Sequence, residues 1–293
     1  MPGQTLADAA IRWFDENARD LPWRRPEAGA WGVLVSEIML QQTPVTRVMP
    51  AWHAWMERWP TPAALAADQP GEAIRMWGRL GYPRRALRLH ECAVAMVQRH
   101  DGRIPDDLDE LLALPGIGSY TARAVAAFAY GQRQPVVDTN VRRFVARAVS
   151  GAADAGPTTR PSDLAATLAL LPALPHLAAR ASAAFMEIGA LVCVARTPRC
   201  TACPVHSACA WRSAGRPALD GPSRRPQRYA GTDRQVRGLL LAVLRDAAYP
   251  VPRARLDVVW TDPTQRDRAL VGLIEDGLVD PLPGDLFALP STA

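Results

Sequence analysis

Four of the five cysteines fall within seventeen residues, spaced Cys193-x6-Cys200-x2-Cys203-x5-Cys209. Thiolates this close in sequence can converge on one metal centre with little loop-closure entropy, and Pro198 and Pro204 stiffen the loops between them. A zinc ion held by four cysteines is the competing reading, but zinc modules usually pair two short knuckles across a longer loop. Here one knuckle is flanked by unequal arms of six and five residues, which suits an iron–sulfur cubane better. The fifth, Cys92 in LHECAVAMV, reads as a small core residue.

Two carboxylates have the makings of acid–base or electrostatic groups. Glu37 lies among Val33, Val35, Ile38, Met39 and Leu40. In that company a carboxylate is partly desolvated, which favours its protonated form and suits a general acid; a solvent-facing position is the alternative that periodicity leaves open. Asp138 in PVVDTNVRR reads, by itself, as a cap or turn former. Between them in sequence, LPGIGSYTA joins two helices through Gly116 and Gly118, with Ser119 placed to cap the second. Such glycines let a backbone approach a phosphate, and the helix N-terminus attracts the anion; a plain helix–helix connection explains the same residues. Reaction classes are also excluded. All 34 basic residues are arginine, so no lysine can form a Schiff base.

The elements that must position these groups are mostly helices. Residues 31–43, 71–81, 86–100, 106–114 and 119–131 carry apolar residues at helical spacing, punctuated by Gly102, Gly131, Gly151, Pro157 and Pro161. Trp52, Trp55 and Trp59, at i, i+3 and i+7, read as a core face rather than a base-stacking platform. Residues 214–231 are rich in Pro, Gly and Arg and predict a linker. Beyond it, residues 232–293 predict three helices closing on a hairpin, similar to a winged helix. In that unit Asp262 caps the third helix, and Arg234, Arg237, Arg266 and Arg268 are available to phosphates. A net charge of +5 suggests an anionic partner only weakly, and no apolar run is long enough to span a bilayer. A cytoplasmic location without membrane contact is the expectation.

Taken together, RDLPWR (19–24), SEIMLQQT (36–43), WGRLGYPRRALRLH (77–90), LPGIGSYTA, VDTNVRR (137–143), FMEIGALVC (185–193) and the four cysteines resemble the MutY-type adenine DNA glycosylases of the endonuclease III superfamily. The resemblance covers residues 10–212. It implies a mainly α, helix–hairpin–helix DNA glycosylase fold over 1–213. That fold would comprise a six-helix barrel lobe near 24–134 and an Fe–S lobe from 1–23 plus 135–213, with the small winged-helix-like unit appended. It also implies a [4Fe–4S] cluster on Cys193, Cys200, Cys203 and Cys209 that braces a DNA-contacting loop, where Arg196 and Arg199 would offer charge.

The same resemblance assigns roles. Glu37 would protonate adenine at N7, and Asp138 would stabilise the oxocarbenium-like sugar, with Tyr120 and Asn140 assisting. Trp23, Arg24 and Leu40 would line the pocket for the flipped base, while Gln42 and Tyr82 would wedge into the duplex. The implied partner is mismatched double-stranded DNA, bound by a monomer, with adenine excised opposite 8-oxoguanine or guanine. Bifunctional relatives carry a lysine where Tyr120 stands, so hydrolysis without strand cleavage is expected. Thr139 in place of a usual glycine, Pro83 in GYPRR, Ala183, and the lack of a Nudix-like C-terminal region depart from the pattern. The alternatives are a thymine or uracil mismatch glycosylase of the same superfamily, or a non-catalytic Fe–S DNA sensor.

Overall fold

A computed structural model describes residues 2–156, 158–218 and 229–291. Most of the linker expected at 214–231, namely 219–228, therefore lies outside the described residues, as does Pro157. The chain is mainly helical. In order come α1 (Pro2–Asn17), α2 (Gly29–Leu40), α3 (Val45–Arg58), α4 (Pro62–Ala66), α5 (Pro70–Trp77) and α6 (Arg84–His100). Then follow α7 (Leu108–Leu112), α8 (Ser119–Phe128), α9 (Thr139–Val145), α10 (Pro161–Leu170), α11 (Pro175–Leu191) and α12 (Ala210–Ser213). The C-terminal part adds α13 (Asp233–Asp246), α14 (Arg253–Asp257) and α15 (Pro263–Glu275), with strands β1 (Val251–Pro252), β2 (Asp280–Leu282) and β3 (Leu286–Ala288). Among the described residues no single helix is long and apolar enough to cross a membrane.

Two compact units form. The first comprises Met1–Leu34, Pro105–Ala113 and Ile117–Pro222. Its core gathers the apolar faces of α1, α9 and α11 around Phe144 and Phe185, whose rings lie 5.4 Å apart. Past α9 the backbone widens into a π-helical turn, Ala146–Ser150, that packs on α12. Turns of this kind are rare and are frequently found at functional sites.

The second unit comprises Val35–Ile104, Leu114–Gly116 and Ser223–Ala293. The tryptophan stripe is core here: Trp52, Trp55 and Trp59 are buried, and Trp55 meets Trp59 and Trp77 edge-on at 4.6 and 5.7 Å. Helix α6 ends as its residues dictate, with Asp101 and Gly102 in the left-handed region. The C-terminal helices and sheet group with these residues. Gly71 N–H donates to the Pro290 carbonyl at 2.7 Å, Arg84 pairs with Asp276 at 3.1 Å, and Arg245 donates to the Gly78 carbonyl.

Within the C-terminal part, Asp262 Oδ1 accepts from Gln265 N–H at 3.1 Å, the cap expected from the sequence. The hairpin β2–β3 gains a third antiparallel strand, β1, giving the order β1-β3-β2. The availability of its arginines to phosphate needs correction. Arg268 forks onto Asp233 at 2.7 and 2.8 Å, Arg237 pairs with Asp276, and Arg266 donates to the Asp257 and Trp260 carbonyls. Arg234 lies over the Tyr229 ring. With nine acidic residues against seven basic between 232 and 291, this part carries no surplus of cations for a phosphate backbone.

Candidate active site and cysteine cavity

Helix α2 is buried on every side from Trp31 to Met39, unlike an ordinary surface helix with one apolar stripe. Glu37 is thereby 5% exposed, so the solvent-facing alternative falls. Its neighbour at the helix end, Leu40, is half-buried. Glu37, Leu40, Gln42, Tyr82 and Gly116 belong to the second unit; Trp23, Arg24, Gly118, Tyr120, Asp138, Asn140 and the cysteines belong to the first.

In the first unit Asp138 is the N-cap of α9, held half-buried at the entry to the helix. Its Oδ1 accepts from Val141 N–H at 2.7 Å and its Oδ2 from Asn140 Nδ2 at 2.8 Å. Burial still outweighs these bonds and the nearby Arg143, so the Asp138 pKa lies above the ordinary carboxylate value. Asn140 is fixed in turn by Arg143, which also donates to the carbonyls of Gly189 and Cys193, both at 2.7 Å. Tyr120, half-buried on α8, packs on Ala124, Ala127 and Val136.

Gly189 belongs to this arrangement without any signal in the sequence pattern. A Cβ there would lie 2.6 Å from the Asn140 carbonyl oxygen and 2.8 Å from its carbon. Backbone cannot yield as a flexible side chain would, so Gly189→Ala should displace the Asp138–Asn140 cap. The expected result is a soluble protein with the glycosylase activity that the sequence resemblance implies reduced on the order of ten- to a hundred-fold, because misplacement by about 1 Å costs that much. Wild-type rates in single-turnover assays would refute this placement.

The hairpin glycines divide their work. Gly116 has φ +74°, and a Cβ on it would lie 2.8 Å from the Arg88 side chain. Gly118 is itself the N-cap of α8. This corrects the assignment of the cap to Ser119, which is the first helical residue and whose Oγ faces Arg123 Nε at 3.4 Å.

Trp23 is buried and Arg24 half-buried, just after α1. Arg24 is anchored by a residue that the sequence left unassigned. Glu187 on α11 is wholly buried and takes Arg19 Nε at 2.8 Å and Arg24 at 2.8 Å. In the second unit Gln42 and Tyr82 are exposed and both have left-handed backbones, φ 55° and 49°. For side chains other than Asn and Asp such backbones cost about 1–2 kcal/mol.

All four clustered cysteines are free and line one cavity with Arg147, Val192, Pro198, His206, Trp211 and Arg212. Burial pushes the Cys203 thiol up to about 11, with the other three thiols adding to the rise. Burial likewise raises Cys193, whose Sγ lies 3.6 Å from the Arg147 guanidinium. Arg147 also donates to the carbonyls of Val194 and Ala195 and stacks over Trp211. Among the described residues no three ligating side chains already converge to hold one ion. Four soft sulfur donors ringing one cavity fit a polynuclear iron–sulfur group. Arg196 and Arg199 lie exposed beside it.

A family model described as "HhH-GPD superfamily base excision DNA repair protein" matches residues 35–166. The chain is 62% identical over 281 residues to the adenine DNA glycosylase of Mycolicibacterium smegmatis, covering 95% of this chain and 94% of that protein. It is 58% identical over 281 residues to the adenine DNA glycosylase of Mycobacterium tuberculosis, covering 96% and 92%. Among solved structures, a thermostable thymine-DNA glycosylase superposes with a TM-score of 0.65 at 22% identity, over 73% of this chain and 97% of that one. At that identity the likeness speaks for the fold, and it agrees with the helix–hairpin–helix architecture expected from the sequence.

Proposed function

Because the chain belongs to the adenine DNA glycosylase family of the helix–hairpin–helix base-excision-repair superfamily, we propose that it hydrolyses the N-glycosidic bond of adenine mispaired with 8-oxoguanine or guanine. The observation that carries the reading is the burial of Glu37 in a helix with no exposed face between Trp31 and Met39. A carboxyl group buried in that helix is placed to serve as the acid toward a leaving group, and a purine offers N7 to receive the proton. Asp138, ionised, stabilises the positive charge that develops on the sugar, while Asn140 holds one of its oxygens and Tyr120 assists at the same ring. Trp23, Arg24 and Leu40 line the pocket of the extruded base, and Gln42 and Tyr82 enter the space it leaves.

Cys193, Cys200, Cys203 and Cys209 would hold a [4Fe–4S] cluster, which supplies a structural brace and no bond-breaking chemistry. The exposed Arg196 and Arg199 beside it give the phosphate backbone its charge partners. With no lysine in the chain, no Lys-derived Schiff base forms, so the product is an intact strand with an abasic site. The protein acts as a monomer in the cytoplasm, at the nucleoid.

Single-turnover assays on duplexes with A opposite 8-oxoguanine, A opposite G, and T opposite G test this directly. Both adenine duplexes should be cut only after hot alkali, and borohydride should trap no covalent adduct. Cutting of T opposite G alone would replace this reading with that of a thymine mismatch glycosylase. Inertness on all three would leave a DNA sensor.

A further inference from the structure

Arg85, the second residue of α6, is buried, yet no carboxylate pairs with it among the described hydrogen bonds and ion pairs. Its two terminal nitrogens are spent mostly on backbone carbonyls. One terminal nitrogen donates to the carbonyls of Ile38, Met39 and Gln41 at 2.8, 3.1 and 2.7 Å. The other donates to Thr43 Oγ1 and the Gly81 carbonyl, both at 3.0 Å. Its plane also lies over the rings of Trp77 and Tyr82, at 5.1 and 5.6 Å. Burial lowers its pKa to about 10, so it stays charged at neutral pH and serves the carbonyl end of α2 as a cationic cap.

Those partners flank two exposed residues with left-handed backbones. Gln42 sits between Gln41 and Thr43, and Tyr82 follows Gly81. Asp101 and Asp285 share that backbone region, but aspartate tolerates it, whereas glutamine and tyrosine do so only when surrounding contacts impose it. The two segments are also tied directly, with Thr43 Oγ1 3.4 Å from the Leu80 carbonyl, and the second is braced internally by Trp77 Nε1, which donates to the Gly81 carbonyl at 3.0 Å. A guanidinium fork reaches five acceptors on two segments at fixed angles; an ammonium cannot.

We propose that Arg85 is a positioning residue that presets Gln42 and Tyr82 as one rigid pair for entry into the duplex. The proposal rests on the wedge reading of those two residues given above. Arg85 touches neither the base nor the sugar. It lowers the ordering that must accompany base extrusion, so its contribution disappears when the target base is already unpaired.

The test compares single-turnover excision from two DNAs: adenine paired in a mismatch, and adenine in a single-nucleotide bulge. The full chain is used as wild type, Arg85→Lys and Arg85→Leu, with Gln42→Gly/Tyr82→Ala as the reference for wedge loss. Arg85→Lys keeps the charge, so it guards against a Leu variant that fails to fold. The expected result is a loss on the order of ten- to a hundred-fold on the mismatch and under about threefold on the bulge, matching the reference variant. Equal losses on both DNAs, or none with Arg85→Lys, would overturn the proposal. If Gln42→Gly/Tyr82→Ala itself cuts the mismatch at the wild-type rate, the wedge reading fails and takes the proposal with it. If wild type cuts neither DNA, the failure lies with the proposed function.

Discussion

Asp138→Asn should lose base excision by roughly 10²–10³-fold or more while melting within about 1 kcal/mol of wild type. The kinetic half follows from charge: a neutral amide cannot stabilise an oxocarbenium-like sugar. The stability half follows from two opposed terms. Asparagine is as good an N-cap as aspartate and can keep the bond from Val141 N–H. It does turn an amide toward Asn140 Nδ2, losing one hydrogen bond worth about 0.5–1.5 kcal/mol. Against that loss, the raised pKa of Asp138 means that its ionised form is less favourable folded than unfolded. That penalty is absent below the unfolded value near about 4, grows as pH rises toward the folded value, and then levels off. The melting difference should therefore move in favour of Asp138→Asn with rising pH. On the proposed role of Asp138 wild-type excision needs the anion, and it should decline as pH falls through the folded value. Glu37→Gln makes a useful companion, since it removes the acid and leaves Asp138 ionised. Denaturant melts and single-turnover rates across pH decide it. Retained excision would remove Asp138 from the mechanism, and a markedly unstable variant would mean that its charge stabilises the fold.

Much of this architecture was legible because its signals are local. Helical spacing located α5, α6, α7 and α8 to within a few residues, and the Trp52–Trp55–Trp59 stripe is the core face that its period implied. The cysteine spacing led to one cavity. Local signals stop at α2. A helix buried on every side has no polar face to give its orientation away, so periodicity left the exposure of Glu37 open. Strand β1, only two residues long, carries no alternation to find.

The deeper gap concerns arginine. Arg85, Arg143 and Arg147 each tie together carbonyls from distant stretches, and nothing in their immediate sequence distinguishes them from Arg266, whose carbonyl acceptors lie within nine residues, or from Arg268, which forks onto Asp233. In a chain whose every cation is arginine, residue type has no power to separate surface charge from buried scaffold. Only the burial and the list of acceptors do so. That is why Arg237, Arg266 and Arg268 looked ready for phosphate and proved to be committed to aspartates and carbonyls.

Glu187 shows the same gap from the acidic side, and its removal should be costly in a way opposite to Asp138. Its carboxylate has no solvent exposure and accepts from the Arg19 backbone N–H at 3.0 Å, Arg19 Nε at 2.8 Å, Arg19 Nη2 at 2.9 Å and Arg24 Nη2 at 2.8 Å. Burial alone would raise its pKa, yet these donors win and hold it down at about 2. Against an unfolded value near about 4.3 the anion contributes about 3 kcal/mol of stability. Glu187→Gln should lose most of that at pH 7, since both arginines keep enough water to relieve their own loss. The contribution is complete above the unfolded pKa and fades as pH falls toward about 2, so the gap between wild type and variant should close on acidification. Function should suffer as well, because Arg24 would lose its anchor at the same site as the buried Trp23. Melts at pH 7 and pH 3, with excision rates at pH 7, separate these effects. A gap that stayed constant with pH would mean that packing, not charge, accounts for the loss. Opposite pH trends for Asp138→Asn and Glu187→Gln would distinguish a carboxylate held as an anion by its scaffold from one whose charge the scaffold leaves partly unpaid and therefore available to a substrate cation.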